Sequence, residues 1–305
     1  MADRGTGIAL GLSCGANDGS AEILLKSALQ AAEECGASVE LVRLHDLHLS
    51  LTGEPDDGEW LWERLVACDA LVVSTPIISR TVSAVLKLAI DRLLGPNADA
   101  AFVGRMIELR RAGAELKLPF KLDDRVLKSR VAGFIAVGGS LTSQWKSLAM
   151  PILHTTAFSM HMAVADQRVF GGAGTPRSIV LEPDALALAA QLGRNVAEQI
   201  GVEHDDVEFR GEEGLCPLCH LDVIVLSGRN VECATCGARG KLNDDVHVRW
   251  TDLSTSVLTM DEKRAHVHEV EQTAAAHAQR RDEIERIAAS YCDFDRRVAP
   301  ASISG

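Results

Sequence analysis

From Gly7 to Ile200 the chain alternates short, almost wholly apolar runs with segments of helical spacing, and few folds accept such a pattern. The first run, Gly7–Ser13 (GIALGLS), precedes a small-residue loop and a helix predicted with Leu24, Leu25, Ala28, Ala32 and Cys35 on one face. Gly36 supplies the stop, because glycine accepts the positive φ that ends helices. The same reading places strands at Val39–Leu44, Asp69–Thr75, Val131–Val137 and Met160–Val169, with helices at Trp60–Ala67, Val82–Leu94, Ser143–Thr156 and Pro183–Ile200.

Strands without polar alternation require cover on both faces, which a parallel sheet with right-handed crossovers provides. Five strands alternating with five helices predict an α/β fold, a flavodoxin-like doubly wound five-stranded parallel sheet whose ligand sits at the carboxyl ends of the strands. The site is therefore expected on the turns after strands one, three and four. Gly95–Arg130 is long for a connection in such a fold and reads as an insertion with a helical piece near Ala101–Arg111, favoured as a surface excursion or dimer contact over a substrate lid. The acidic run Glu203–Glu208 marks a boundary, dividing the chain into 1–202 (α/β domain), 203–250 (cysteine-rich ribbon) and 251–305 (helical extension). Asp261–Tyr291 reads as a helix with only a thin apolar stripe.

The net charge of −12, with no run of Lys or Arg, argues against nucleic acid as a partner. The apolar runs are too short for a membrane span, and no basic segment followed by an apolar one opens the chain, so the expected location is the cytoplasm. With one Tyr and seven Phe, the interior must be aliphatic.

Four of the eight cysteines form two Cys-x-x-Cys pairs in CPLCHLDVIVLSGRNVECATCG. Cys216, Cys219, Cys233 and Cys236 offer four thiolates to one tetrahedral ion across a strand-turn-strand ribbon. Zinc is the expected metal and would be structural; iron is the alternative, as the same ligand set supports a rubredoxin-like redox centre. His45, His48, His154 and His161 read as packed or hydrogen-bonded residues, and His266, His268 and His277 as a solvated helix face.

After the first strand, SCGANDGSAE can turn backbone N–H groups and hydroxyls toward an anion at a helix N-terminus. Together with STPIISRTVSA leading into VLKLAIDRL (from Ser74) and VGGSLT (Val137–Thr142), this loop resembles the flavin-binding turns of NADPH-dependent FMN reductases, over about Gly7–Ile200. The resemblance implies that Ser13, Cys14, Gly15, Gly19, Ser20 and Ala21 hold the FMN phosphate. It implies that Pro76, Ile77, Ile78, Ser79 and Arg80 border the isoalloxazine ring, and that Gly138, Gly139 and Ser140 approach its pyrimidine edge. Arg80 stands where that family usually has glycine, and Ile78 and Ser79 replace an aromatic; Arg80 suits either the phosphate of NADPH or an acidic substrate, or else a surface ion pair. No catalytic acid or base can be named. The implied function is an FMN-dependent NAD(P)H oxidoreductase passing electrons to a quinone, flavin or small organic acceptor, working as a homodimer or higher homo-oligomer; the alternative is a flavin/metal electron-transfer or docking module without NAD(P)H turnover.

Overall fold

The computed structural model describes residues 7–52 and 54–292; the outer ends of the first and last predicted domains lie outside the described residues. The chain forms two compact units, Met1–Lys263 and Arg264–Gly305.

In the first unit β1 (Ile8–Ser13), β2 (Ser38–Arg43), β3 (Ala70–Pro76), β4 (Val131–Val137) and β5 (Ala163–Phe170) form one parallel sheet in the order β2-β1-β3-β4-β5. This is the flavodoxin-like order expected. Successive strand residues point to opposite faces, so β1 sends Ala9 into one core layer and Leu10 into the other. One layer packs Leu10, Leu71 and Phe134 beneath α2 (Gly58–Ala67) and α3 (Ala84–Leu93). The other packs Ala9, Val72 and Ile135 beneath α1 (Ser20–Glu34) and the long helix Pro183–Ala197.

Helix α1 buries Leu24, Leu25, Ala28 and Ala32 of the predicted face, while Cys35, at the C-cap, is exposed, and the helix ends as expected at Gly36, whose φ is 95°. The N–H of Gly36 then reaches Glu33 O and that of Ala37 reaches Ala32 O, so the last carbonyls of the helix are satisfied.

The 95–130 insertion belongs to the core rather than forming an excursion. Its helix α4 (Ala100–Arg111) is capped by Asp99, which accepts from Phe102 N–H, and buries Val103 and Ile107 beside Val126. Arg130 closes it: the buried guanidinium donates to the carbonyls of Val66, Arg125, Val126 and Lys128. Those contacts join the insertion to the end of α2 through a cation bound by four backbone carbonyls.

The predicted helix Ser143–Thr156 is broken into a 3-10 turn at Ser143–Trp145, α5 (Ala149–Leu153) and α6 (Thr155–Phe158). Pro151 has no N–H to donate back into an earlier turn, so a continuous helix through it would lose a bond and meet a clash. The long helix Pro183–Ala197 becomes α7, opened by proline at its first position.

The ribbon contains one hairpin more than expected. Strands β6 (Ile224–Ser227), β7 (Asn230–Cys233), β8 (Arg239–Leu242) and β9 (Val248–Asp252) pair antiparallel in sequence order. Helix α8 (Met260–Gln279) begins in the first unit and continues into the second, followed by α9 (Arg281–Cys292). No helix among the described residues is long and apolar enough to cross a membrane.

Candidate functional site

The turns after β1, β3, β4 and β5 are knit together at the carboxyl edge of the sheet. A Cβ on Gly15 would lie 3.1 Å from Pro76 Cδ, one on Gly138 3.2 Å from Ile77 Cβ, and one on Gly139 3.1 Å from Gly174 Cα. Ile77 N–H donates to Val137 O and Gly138 N–H to Phe170 O. Those two amides therefore already have partners, and the small size of Gly138 serves loop packing.

In the first turn the polar groups divide into two sets. Ser13 is buried and donates its hydroxyl to Glu22 Oε2 at 3.0 Å. Glu22 also accepts from Arg43 of β2 (2.7 Å) and lies 2.8 Å from Lys26 Nζ; the guanidinium beside it draws its carboxyl down from 4.5 to about 2. Glu22 thus anchors the turn from beneath. Cys14 is buried with its thiol turned back to Leu12 O, and burial pushes its pKa up, so it packs and is no activated thiolate.

Ser20 behaves differently. Its hydroxyl is buried without a hydrogen-bond partner at the first position of α1, and the N-cap Gly19 contributes no side-chain cap. The first intrahelical bond runs from Ile23 N–H to Gly19 O, so the amides of Ser20 and Ala21 precede the helical ladder. An orphaned hydroxyl beside free helix N-terminal amides fits a phosphate group. We expect Ser20→Ala to raise the Kd for FMN about tenfold or more while leaving the unfolding free energy within about 0.5 kcal/mol, because it removes an oxygen with no protein partner. Flavin fluorescence titration beside urea denaturation measures both; an unchanged Kd would remove Ser20 from the site.

The turn after β3 carries visible backbone strain. Ser79 (φ 50°) and Arg80 (φ 74°) are both left-handed, closing a two-residue hairpin in which Ile78 and Thr81 exchange backbone hydrogen bonds. Glycine at position 80 would relieve that strain. Arg80 instead donates Nε to Gln144 O at 2.8 Å, latching this turn onto the one after β4. There, Ser140 Oγ accepts from Thr142 N–H.

The four ribbon cysteines are buried and converge. Cys216 and Cys236 Sγ lie 3.6 Å apart, and Cys219 and Cys233 Sγ 3.4 Å apart. A tetrahedron of sulfurs about 2.3 Å from one ion has edges of about 3.8 Å, so the donor set fits a tetrathiolate metal. Hydrogen bonds from neighbouring thiols lower Cys216 and Cys233 and raise Cys219 and Cys236. Each pair sits in a tight turn, with His220 N–H donating to Cys216 O and Gly237 N–H to Cys233 O; both turn-closing residues have positive φ.

Sequence reasoning missed Gln167, which ties this ribbon to the sheet. From β5 its amide nitrogen donates to Cys219 O (2.9 Å) and His220 O (3.2 Å), while its oxygen lies 2.7 Å from His154 Nε2. The oxygen can only accept, so His154 carries its proton on Nε2. Burial lowers the pKa of His154 to about 4 and keeps it neutral, packed edge-on against Phe134. We expect Gln167→Leu to weaken metal binding about 10- to 100-fold, since two knuckle carbonyls lose their donor; competition with a chromogenic chelator measures it, and unchanged affinity would make the ribbon self-sufficient.

His161, His204 and Asp205 also gather their ligand atoms. The imidazoles are stacked at 3.6 Å and 14°, with Lys263 Nζ 2.9 Å from His161 Nδ1. Parallel rings cannot aim two in-plane lone pairs at one ion, and an ammonium group stands beside them, so this cluster is a packing contact.

Comparison with known proteins agrees with this architecture. The sequence profile of the family described as NADPH-dependent FMN reductase matches residues 9–174. The chain is 32% identical over 292 residues to flavone synthase cfoJ of Aspergillus candidus, covering 86% of this chain and 88% of that protein. It is similar to the solved structure of a flavone reductase with a TM-score of 0.82 and 27% identity, covering 96% of this chain and 100% of that one. The last likeness therefore runs through the ribbon as well as the α/β core.

Proposed function

Since the chain belongs to the NADPH-dependent FMN reductase family and is an NAD(P)H-dependent flavin oxidoreductase, we propose that its electron acceptor is a flavone-type enone, a flat bicyclic ketone whose ring double bond is conjugated to the carbonyl. The observation that carries this reading is the length of the likeness: it extends past residue 174 to proteins named for making or reducing flavones. A flavodoxin-like core alone would leave the acceptor open.

FMN, when bound, supplies a two-electron carrier between nicotinamide and acceptor. The residues of the chain do the holding. Ser20 and the amides of Ser20 and Ala21 would receive the phosphate; Glu22 and Arg43 keep that turn in place from below. Pro76, Ile77 and Ile78 would border the isoalloxazine ring, and Gly139 and Ser140 would approach its edge. No side-chain acid or base is needed for the nicotinamide half-reaction, which agrees with a site built of amides, hydroxyls and aliphatic groups.

In the same reading the tetrathiolate site holds zinc and is structural, stabilising a ribbon whose four strands are each four or five residues long. The working form is a homodimer in the cytoplasm. Exposed Ile284, Ile287 and Tyr291, three and four residues apart on α9, support a helix-to-helix contact.

The test is anaerobic mixing of FMN-loaded protein with NADPH and then flavone. The expected result is bleaching of the flavin absorbance and its return with one flavone consumed per NADPH. Failure to take up FMN from excess would sink the cofactor assignment, and bleaching without flavone consumption would sink the acceptor. Metal analysis in the same preparation separates colourless zinc from coloured iron tetrathiolate.

A further inference from the structure

The segment after β4 displays side chains that its own fold does not use. Leu141, Trp145 and Leu148 are 80%, 55% and 41% exposed, and Ile78 on the adjoining turn is 53% exposed. Tryptophan is scarce here, with four in the chain, and the other three are engaged. Trp62 donates to Asp123, Trp250 donates to Leu215 O, and Trp60 lies under the guanidinium of Arg64. Among the described residues the Trp145 side chain has neither a hydrogen bond nor a ring partner.

The backbone beneath it is nevertheless fixed. Thr142 N–H is bound by Ser140 Oγ, Trp145 N–H by Thr142 O and Lys146 N–H by Ser143 O, while Arg80 latches Gln144 from the facing turn. A turn with a fixed backbone that leaves an indole and two leucines in water offers apolar side chains that a planar ring can cover at little cost in ordering.

Charge supplies the second observation. The turns 76–84, 138–148 and 171–177 contain no Asp or Glu, although the chain carries a net charge of −12. Among the described residues Lys146 and the terminal amino groups of Arg80 have no acidic partner. Cations without acidic partners on the same turns as an exposed indole suit a flat molecule that carries acceptor oxygens or a phenolate at its rim.

We infer that Trp145, with Leu141 and Ile78, forms the seat of the acceptor ring system, and that Arg80 and Lys146 receive its oxygens. This rests on the reading above, that FMN occupies the neighbouring turns and a flavone is the acceptor. The seat gives that acceptor a residue whose ring sets affinity and whose neighbours discriminate among hydroxylation patterns.

The experiment is calorimetric titration of FMN-loaded, full-length protein with flavone and with 7-hydroxyflavone at pH 8, for wild type, Trp145→Ala, Trp145→Phe and Lys146→Met. Trp145→Ala should weaken both ligands about tenfold, the cost of losing one stacking partner, and Trp145→Phe should recover most of the loss. Lys146→Met should weaken 7-hydroxyflavone more than flavone. FMN affinity, read by flavin fluorescence in the same variants, should not move. Unchanged flavone binding in Trp145→Ala overturns the seat and leaves the acceptor reading standing. Wild-type protein that binds FMN but neither flavone overturns both. If Trp145→Ala instead halves the sedimenting mass with flavone binding intact, the surface is a contact between subunits and the seat is likewise overturned.

Discussion

Gly193→Ala should destabilise the protein by about 2–4 kcal/mol, and Gly193→Val should leave no cooperatively folded α/β unit. Gly193 lies within α7 where that helix crosses α1, and a Cβ there would fall 1.9 Å from Ala28 O, 2.6 Å from its carbonyl carbon and 2.8 Å from its Cα. Every atom it meets is backbone, so no rotamer change can make room. The helices would have to separate, opening the layer formed by Leu24, Leu25, Leu192 and Val196.

Local propensity points the other way, because glycine inside a helix costs about 1 kcal/mol relative to alanine. The same change at Gly104 in α4 tests this, since a Cβ there meets only Leu127 Cδ2 at 3.9 Å, an ordinary contact. Gly104→Ala should therefore stabilise by about 0.5–1 kcal/mol. Urea unfolding of both variants decides the matter: a Gly193→Ala midpoint at or above wild type would show that α1 and α7 do not pack as described.

Loss of the metal proposed for the ribbon should have the second large effect. Tetrathiolate zinc binding supplies on the order of 10–16 kcal/mol to small metal-dependent folds, and the buried cluster of the ribbon is the four cysteines and Ala238, with Leu218, Leu221, Trp250, Val257 and Leu258 only partly buried against it. Cys233→Ser, or a strong chelator, should release one equivalent of metal and make the segment 212–258 sensitive to protease. The α/β unit should survive with a lowered Tm, since Gln167 would lose carbonyl acceptors at Cys219 and His220 and leave His154 in a loosened pocket. Quantitative metal release with unchanged proteolysis would show that the ribbon is held by its strands and its contacts with the sheet.

The parts of this fold that were legible in the sequence depend on local pattern. The apolar runs of β1, β3 and β4 and the spacing of Leu24, Leu25, Ala28 and Ala32 announce both the strands and the helix face that covers them. The Cys-x-x-Cys pairs announce their own convergence. Strands β8 and β9 stayed hidden because Arg239–Leu242 and Val248–Asp252 are short and rich in charged or polar residues. Pro151 was visible, but helical spacing around it masked the break it imposes.

The candidate site was legible as a set of turns and less so as a set of atoms. Ser13 and Ser20 look equivalent in SCGANDGSAE, yet one hydroxyl is bound to Glu22 and the other is orphaned. That difference depends on Arg43, on another strand, which holds the carboxylate under the turn. Gln167 likewise acquires its role from carbonyls more than fifty residues away, at Cys219 and His220.

Strand β5 ends the sheet on one side, where a bare strand would offer its N–H and C=O groups to any extended chain. Arg210 N–H pairs with Ala165 O, and the knuckle at Cys219 covers Gln167 farther along. The ribbon and the segment leading to it thus serve as a selvedge. A chain cut after Val202 would bare that margin, and its first consequence should be strand-to-strand polymerisation, visible as thioflavin binding, before any loss of helical content.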